Sequence, residues 1–186
     1  MNKTLFNNIV VSGEIGSGTT TLAQRLARKL GWKFLSVGSL FRQYHLDQGI
    51  PLWNKLAVPL EFERKTDKTI LEKLKKDKNL VIEGHYQGYL ASDLVNVYKI
   101  LLICDQKISL QRVLKRDHTH KETEDKVQER SIQIELQFKK LYGGGDFRNK
   151  KLFNLVINTS EKNIQETVEI AFKAFLVVSE RLKERY

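Results

Sequence analysis

Short apolar runs alternate along the chain with longer stretches of helical period, a pattern that predicts a parallel sheet joined by crossover helices. The first run, Asn8 to Ser12, is rich in β-branched residues and ends in glycine. A helix is expected from Thr20 to Leu30, where Leu22, Leu26 and Leu30 share one face and Gly31 follows as a stop. Lys33 to Val37 reads as a second strand leading into a helix over Ser39 to Asp47. Both prolines, Pro51 and Pro59, fall within residues 49–60, which predicts short helices or a mobile segment there. Phe62 to Lys78 has the pattern of a lysine-rich amphipathic helix. The third strand is Leu80 to Glu83, and the fourth is Tyr98 to Cys104, with a basic helix expected over Ile108 to Asp117. A long polar helix pattern over Glu122 to Tyr142 stops at Gly143, Gly144 and Gly145. Leu155 to Asn158 is the fifth strand. The closing helix follows the cap candidates Thr159 and Ser160, with Ile164, Val168, Phe172, Phe175 and Leu182 as its core stripe.

Composition narrows the class. With 186 residues, 41% hydrophobic and 29% charged, the chain suits one folded domain spanning 1–186. One cysteine, Cys104, cannot close an internal disulfide, and beside four histidines it builds no structural zinc site. The apolar stretches Ile100 to Cys104 and Ala174 to Val178 are too short to span a bilayer, and Met1 to Phe6 lacks the apolar segment of a signal peptide. A soluble, cytoplasmic and monomeric protein is the expectation. The net charge of +10 suits polyanionic ligands. Solvated lysines and a nucleotide site account for it more readily than a nucleic-acid surface does.

The candidate chemistry lies between the first strand and the first helix. Gly13, Glu14, Ile15, Gly16, Ser17, Gly18, Thr19 and Thr20 form a glycine-rich loop in the context a phosphate-binding loop requires. Glycines let successive N–H groups turn inward around a phosphate, and the helix N-terminus adds a positive dipole end. Thr20 takes the hydroxyl position that holds Mg²⁺, while Thr19 stands where such loops commonly carry lysine.

Further residues fall at the same sheet edge, where doubly wound folds bind ligands. After the second strand come Ser36, Gly38, Ser39 and Arg42, and an arginine one turn into a helix is placed to clamp a second phosphate. The third strand ends at Glu83, Gly84 and His85, with Glu83 a candidate to hold Mg²⁺ or to orient the acceptor. Arg112 and Arg116 lie one turn apart, and Arg130 follows in the next helix. Phosphoryl transfer depends on positioning and on neutralising charge, which is work for mobile arginines.

The loop, Ser-x-Gly-x-x-x-Arg, strand-Glu-Gly, Arg-x-x-x-Arg, Glu-Arg, Tyr-Gly and the Leu-Val-Ile-Asn-Thr strand together resemble nucleoside monophosphate kinases, specifically the short archaeal-type cytidylate kinases and cytidylate-kinase-like proteins. That family commonly carries Gly-Thr-Thr-Thr in its loop, as Gly18, Thr19, Thr20 and Thr21 do here. The resemblance implies a P-loop α/β/α fold with a five-stranded parallel sheet, an acceptor-binding insertion over 38–78 and a short lid over 117–146. It implies ATP and Mg²⁺ as cofactors, with transfer of the γ-phosphoryl group to CMP, dCMP or UMP. Arg112, Arg116 and Arg130 would close over the transferred group, and Asp67-Lys68 is matched to the Asp-Arg-Arg the family carries before its third strand, with Asp67 as a substrate-binding candidate.

Departures from the family pattern are concentrated on the acceptor side. Ser39 replaces an acidic residue, His85 an arginine, Ser109 the first of three arginines, and Gln137-Phe138 an Arg-Tyr pair; His85, Lys139 or Lys140 are candidates to compensate. Two alternatives follow: a P-loop kinase for another small acceptor such as dephospho-coenzyme A, or a nucleotide-binding, RNA-associated assembly factor with little kinase activity.

Overall fold

In the computed structural model, which describes residues 6–115 and 122–184, five strands form one parallel sheet in the order β2-β3-β1-β4-β5. The strands are β1 (Asn8–Gly13), β2 (Lys33–Ser36), β3 (Leu80–Gly84), β4 (Val97–Ile103) and β5 (Leu155–Asn158). Around them pack α1 (Thr19–Leu30), α2 (Val37–Asp47), α3 (Leu60–Lys76), α4 (Gln87–Leu90), α5 (Gln106–Leu114), α6 (Glu124–Tyr142) and α7 (Ile164–Glu184).

Alternation along each strand divides the core into two layers. Ile9, Val11, Val81, Tyr98, Ile100 and Leu102 face α1 and α7, meeting Leu22, Leu26, Val168, Ala171 and Phe175. Val10, Leu80, Ile82 and Val97 face the other way, onto Val37, Ile70, Leu74 and Ala91. Lys99 belongs to this second face and is buried, its Nζ donating to the carbonyls of Ala91, Ser92 and Leu94 at 3.3, 3.4 and 3.0 Å. A buried ammonium persists because carbonyls replace its water.

A third cluster fastens α6 to the turn after β3. Tyr86, Phe138 and Phe147 are buried together, with Tyr89, Leu90 and Tyr142 against them. Two glutamines complete the attachment. Gln133 Oε1 accepts from the backbone N–H of Leu56 at 2.9 Å, and Gln137 Nε2 donates to the Val58 carbonyl at 2.9 Å.

The strand and helix pattern expected from the sequence agrees with this architecture, with ends shifted by a few residues. Segment 49–60 holds one short 3-10 helix, Lys55–Ala57. The closing helix starts differently. Asn163 Oδ1 accepts from Glu166 N at 2.9 Å and Glu166 Oε2 accepts from Asn163 N at 2.8 Å, a reciprocal capping box. Thr159 and Ser160 are therefore not its caps, and Ile164, 51% exposed, lies off the core stripe. Arg116, residues 117–121 of the expected lid and the side chain of Leu182 lie outside the described residues.

Candidate active site

The loop between β1 and α1 has the conformation that phosphate binding demands. Gly16 and Gly18 adopt φ of 80° and 99°, in the left-handed region that glycine tolerates. Gly18 is the N-cap of α1 and no side chain caps this helix, so its first-turn N–H groups are left for an anion. Ser17 tightens the turn, its N–H and hydroxyl both donating to the Glu14 carbonyl at 3.1 and 2.7 Å. At Gly16 a Cβ would overlap the backbone of Ser109 at the start of α5, so glycine is required there for contact as well as for φ.

Two hollows open on this loop, and Gly16 and Gly18 line both. The first lies toward α2, the turn after β3, and α6, and carries Arg42, Lys55, Glu83, His85, Gln87 and Arg130. The second lies toward α5 and the N-terminus of α7, and carries Thr21, Arg25, Arg112, Lys115, Thr159 and Lys162. The sheet order explains the arrangement: the crossover from β1 runs past β3 to β2 on one side, the later crossover from β3 reaches β4 on the other, and the loop stands at the switch point.

Glu83 is the acidic centre of the first hollow and is only 3% exposed. Parallel pairing sets Ser36 directly opposite it, and the Ser36 hydroxyl donates to Oε1. Thr19 Oγ1 donates to Oε2 at 3.0 Å. Thr19, at the lysine position, thus directs its hydroxyl to the strand-end carboxylate. Ser36 also caps α2, accepting from Ser39 N at 3.0 Å. Arg42 Nη2 donates to Ser39 Oγ at 2.9 Å and crosses Gly38, where a Cβ would stand 3.4 Å from Arg42 Nη1 and 3.7 Å from Glu83 Oε1. The acidic position taken by Ser39 therefore holds a hydroxyl that steers Arg42.

His85 Nδ1 lies 3.1 Å from the Gly13 carbonyl and donates to it, because a carbonyl only accepts. Burial is the main cause that lowers the imidazole pKa to about 4; the Gly13 carbonyl contact opposes the shift, and the positive fields of Arg130, Lys55 and Arg42 add to it. At neutral pH the ring is uncharged. It supplies no cation in place of an arginine.

Other expected residues are distributed unevenly. Ile15 and Thr20 line the first hollow, as does Gly84, while Thr21 lines the second. Arg130 lines the first and pairs with Glu122 at 3.1 Å. Arg112 lies in the second, held by Thr159 through Nη1 to Oγ1 at 3.1 Å and Nη2 to the carbonyl at 2.6 Å. Thr159 Oγ1 in turn donates to Ser17 O at 3.0 Å, tying Arg112 to the loop. Gln137 is buried as a tether, and Lys139 and Lys140 are exposed.

Asp67 sits behind the first hollow and does not line it. Its carboxylate accepts from the Tyr142 hydroxyl and from Tyr86 OH at 3.5 Å. Burial raises its pKa to about 6, the Tyr142 hydrogen bond works against that shift, and neighbouring Glu63 adds to it. Tyr86 OH also donates to Glu63 Oε2 at 3.2 Å, and Glu63 Oε1 pairs with Lys55 Nζ at 2.6 Å. Desolvation lowers the Lys55 pKa, against the raising effect of Glu63.

Three polar residues at or beside the first hollow carry no obvious sequence signal. Lys55 reads as one more lysine in a proline-flanked segment, and Gln87 follows a histidine in a short turn. Arg148, after the three glycines, bridges Glu14 of the loop at 2.5 Å and Glu135 of α6 at 2.6 Å. Only the folded chain brings these groups to the loop.

Comparison with known proteins bears directly on this geometry. A family model described as AAA domain matches residues 9–133. A cytidylate kinase of Saccharolobus islandicus (strain Y.G.57.14 / Yellowstone #1) is 33% identical over 184 residues, covering 95% of this chain and 96% of that protein. Cytidylate kinases of Ignicoccus hospitalis and Desulfurococcus amylolyticus are each 32% identical, covering 87% and 96% of the chain and 94% and 96% of their own lengths. The chain belongs to the archaeal cytidylate kinase family. Membership makes it a P-loop phosphotransferase, and the fold agrees. A gluconokinase from Sinorhizobium meliloti 1021 superposes with TM-score 0.66 at 17% identity, covering 98% of this chain and 99% of its own. A shikimate kinase from Acinetobacter baumannii superposes with TM-score 0.61 at 20% identity, covering 95% and 96%.

Proposed function

We propose that the protein transfers the γ-phosphoryl group of ATP to a pyrimidine nucleoside monophosphate, with CMP and dCMP as preferred acceptors and UMP as a further one. The observation that carries this reading is the position of the loop between two hollows. A phosphotransferase joining two nucleotides needs its phosphate cradle approached from both sides.

The second hollow is assigned to the donor. Its loop N–H groups would hold the ATP phosphates, while Arg112, Lys115 and Arg25 surround them with positive charge. The first hollow is assigned to the acceptor. Arg42, bonded to the neutral Ser39 hydroxyl, retains its charge for the acceptor phosphate. Arg130 enters the same hollow from α6 and is placed to balance charge on the transferred group. In the step itself an acceptor phosphate oxygen attacks the γ-phosphorus, the bond to the β-phosphate oxygen breaks, and ADP leaves.

Magnesium fits the residues present. Glu83 is a buried carboxylate that forms no ion pair among the described residues, and Thr20 opens α1 in the same hollow. No group of three or more His, Cys, Asp or Glu side chains able to hold a metal occurs among the described residues, which suits an ion bound mainly through substrate phosphates and water. Thr20 and Glu83 would hold Mg²⁺, which would supply positive charge to offset that of the phosphates.

The test is steady-state ADP release with CMP, dCMP, UMP, AMP, GMP and dephospho-coenzyme A, for the wild type and Arg42→Ala. The wild type is expected to favour the pyrimidine monophosphates. In Arg42→Ala the acceptor KM should rise about tenfold or more, the loss of one charge-assisted contact of about 1.5–3 kcal/mol, while the ATP KM changes less than about twofold. Equal rises for both substrates would overturn the assignment of the first hollow. Turnover with dephospho-coenzyme A alone would overturn the acceptor.

A further inference from the structure

The first hollow contains two buried polar groups whose hydrogen-bonding capacity the protein does not use. Lys55, 8% exposed, pairs through Nζ with Glu63 Oε1 at 2.6 Å, and the described residues offer its other N–H groups no hydrogen-bond acceptor. Gln87 is 1% exposed, and its Oε1 receives no donor. Its amide lies against Gly84, in space that a Cβ at that position would fill. Both residues line the hollow, together with Phe41, His45 and Leu52. An unmet donor and an unmet acceptor in one cavity are costly unless a ligand completes them.

We infer that Lys55 and Gln87 read the base of the acceptor. The ring they fit carries a hydrogen-bond acceptor and a donor on one edge, as cytosine does with N3 or O2 beside its N4 amino group. This deepens the kinase reading and rests on it for the identity of the hollow. Phe41 lies beneath the Lys55 ammonium, 3.6 Å from Nζ to the ring centroid, and helps to hold it in place beside the hollow.

Charge separates this role from phosphate gripping. The Lys55 ammonium is matched by Glu63, whose side chain is 0% exposed, and behind Glu63 stand Tyr86 and the Asp67 carboxylate. A dianionic phosphate drawn to Lys55 would also meet those carboxylates. A neutral carbonyl or ring nitrogen gains a directional donor without that repulsion. Arg42 forms no ion pair among the described residues, and keeps its charge for the phosphate.

The test measures binding, so it does not depend on turnover. Affinities for CMP, ATP and ribose 5-phosphate, a probe that carries the phosphate without the base, are measured by calorimetry and NMR titration. The proteins are the wild type, Lys55→Met and Gln87→Met. CMP affinity should fall about tenfold or more in each variant, with ribose 5-phosphate and ATP changing less than about twofold. Because Lys55→Met alone leaves Glu63 buried and unpaired, the double variant Lys55→Met/Glu63→Gln is measured beside it and should show the same selective loss. Unchanged CMP affinity overturns the inference, as does absence of CMP binding by the wild type. A parallel loss for ribose 5-phosphate assigns Lys55 to the phosphate and overturns it equally. Selective loss of CMP binding in a protein that transfers no phosphoryl group would sink the kinase reading alone.

Discussion

Gly16 shows how much one backbone position can carry. Its φ of 80° and its contact with Ser109 both exclude a side chain. Gly16→Ala should cost on the order of 1–3 kcal/mol of stability through strain, and should abolish ATP binding. Thermal unfolding and ATP titration check both effects. His85 gives a second expectation at this scale. Its native pKa of about 4 lies below the ordinary 6.5, so the unfolded chain binds this proton before the native one does. His85 therefore contributes stability in full above pH 6.5, and that contribution is lost as the pH falls toward 4. Asp67, raised to about 6, acts oppositely, since its native form takes up a proton first as the pH falls. His85→Gln should flatten the loss of stability between pH 6.5 and 4, whereas Asp67→Asn should steepen it; denaturant melts across that window read both. The loop residues were legible in the sequence because glycine spacing reports φ. The partnership of Thr19 with Glu83 was not, because it depends on the register of β2 and β3.

At the level of elements, single polar contacts fasten α5 and α6 to their neighbours. Thr159, at the end of β5, joins Arg112 of α5 to the Ser17 carbonyl. Thr159→Val should raise the ATP KM several-fold and leave the acceptor KM within about twofold, a split that initial-rate kinetics resolves. Gln137 ties α6 to the Val58 carbonyl. Gln137→Ala should destabilise by about 1–2 kcal/mol, the usual consequence of a buried carbonyl left without its donor, seen as a lower denaturation midpoint. Strand and helix positions were readable from hydrophobic period. The start of α7 was misread because Thr159 looks like a cap in sequence, yet its hydroxyl is committed to Ser17. The helical cap is the later Asn163-Glu166 pair. Gln137, placed where the family pattern has an arginine, becomes intelligible once its partner is found 79 positions away.

Over the whole molecule, the doubly wound order places the loop at the switch point, with one hollow on either side of it. Among the described residues no helix is long and apolar enough to cross a membrane. The +10 charge is partly spent at the loop, where Arg42 and Arg130 face one hollow and Arg25, Arg112 and Lys115 the other. In the proposed reaction phosphoryl groups pass across this loop from one hollow to the other. Its most direct measurement follows label from γ-³²P-ATP after incubation with CMP, Mg²⁺ and the full chain, separating CDP from inorganic phosphate. Labelled CDP in amounts exceeding labelled phosphate is the expected result. Label appearing only in inorganic phosphate, with none in CDP, dCDP or UDP when dCMP or UMP is substituted, would contradict the account.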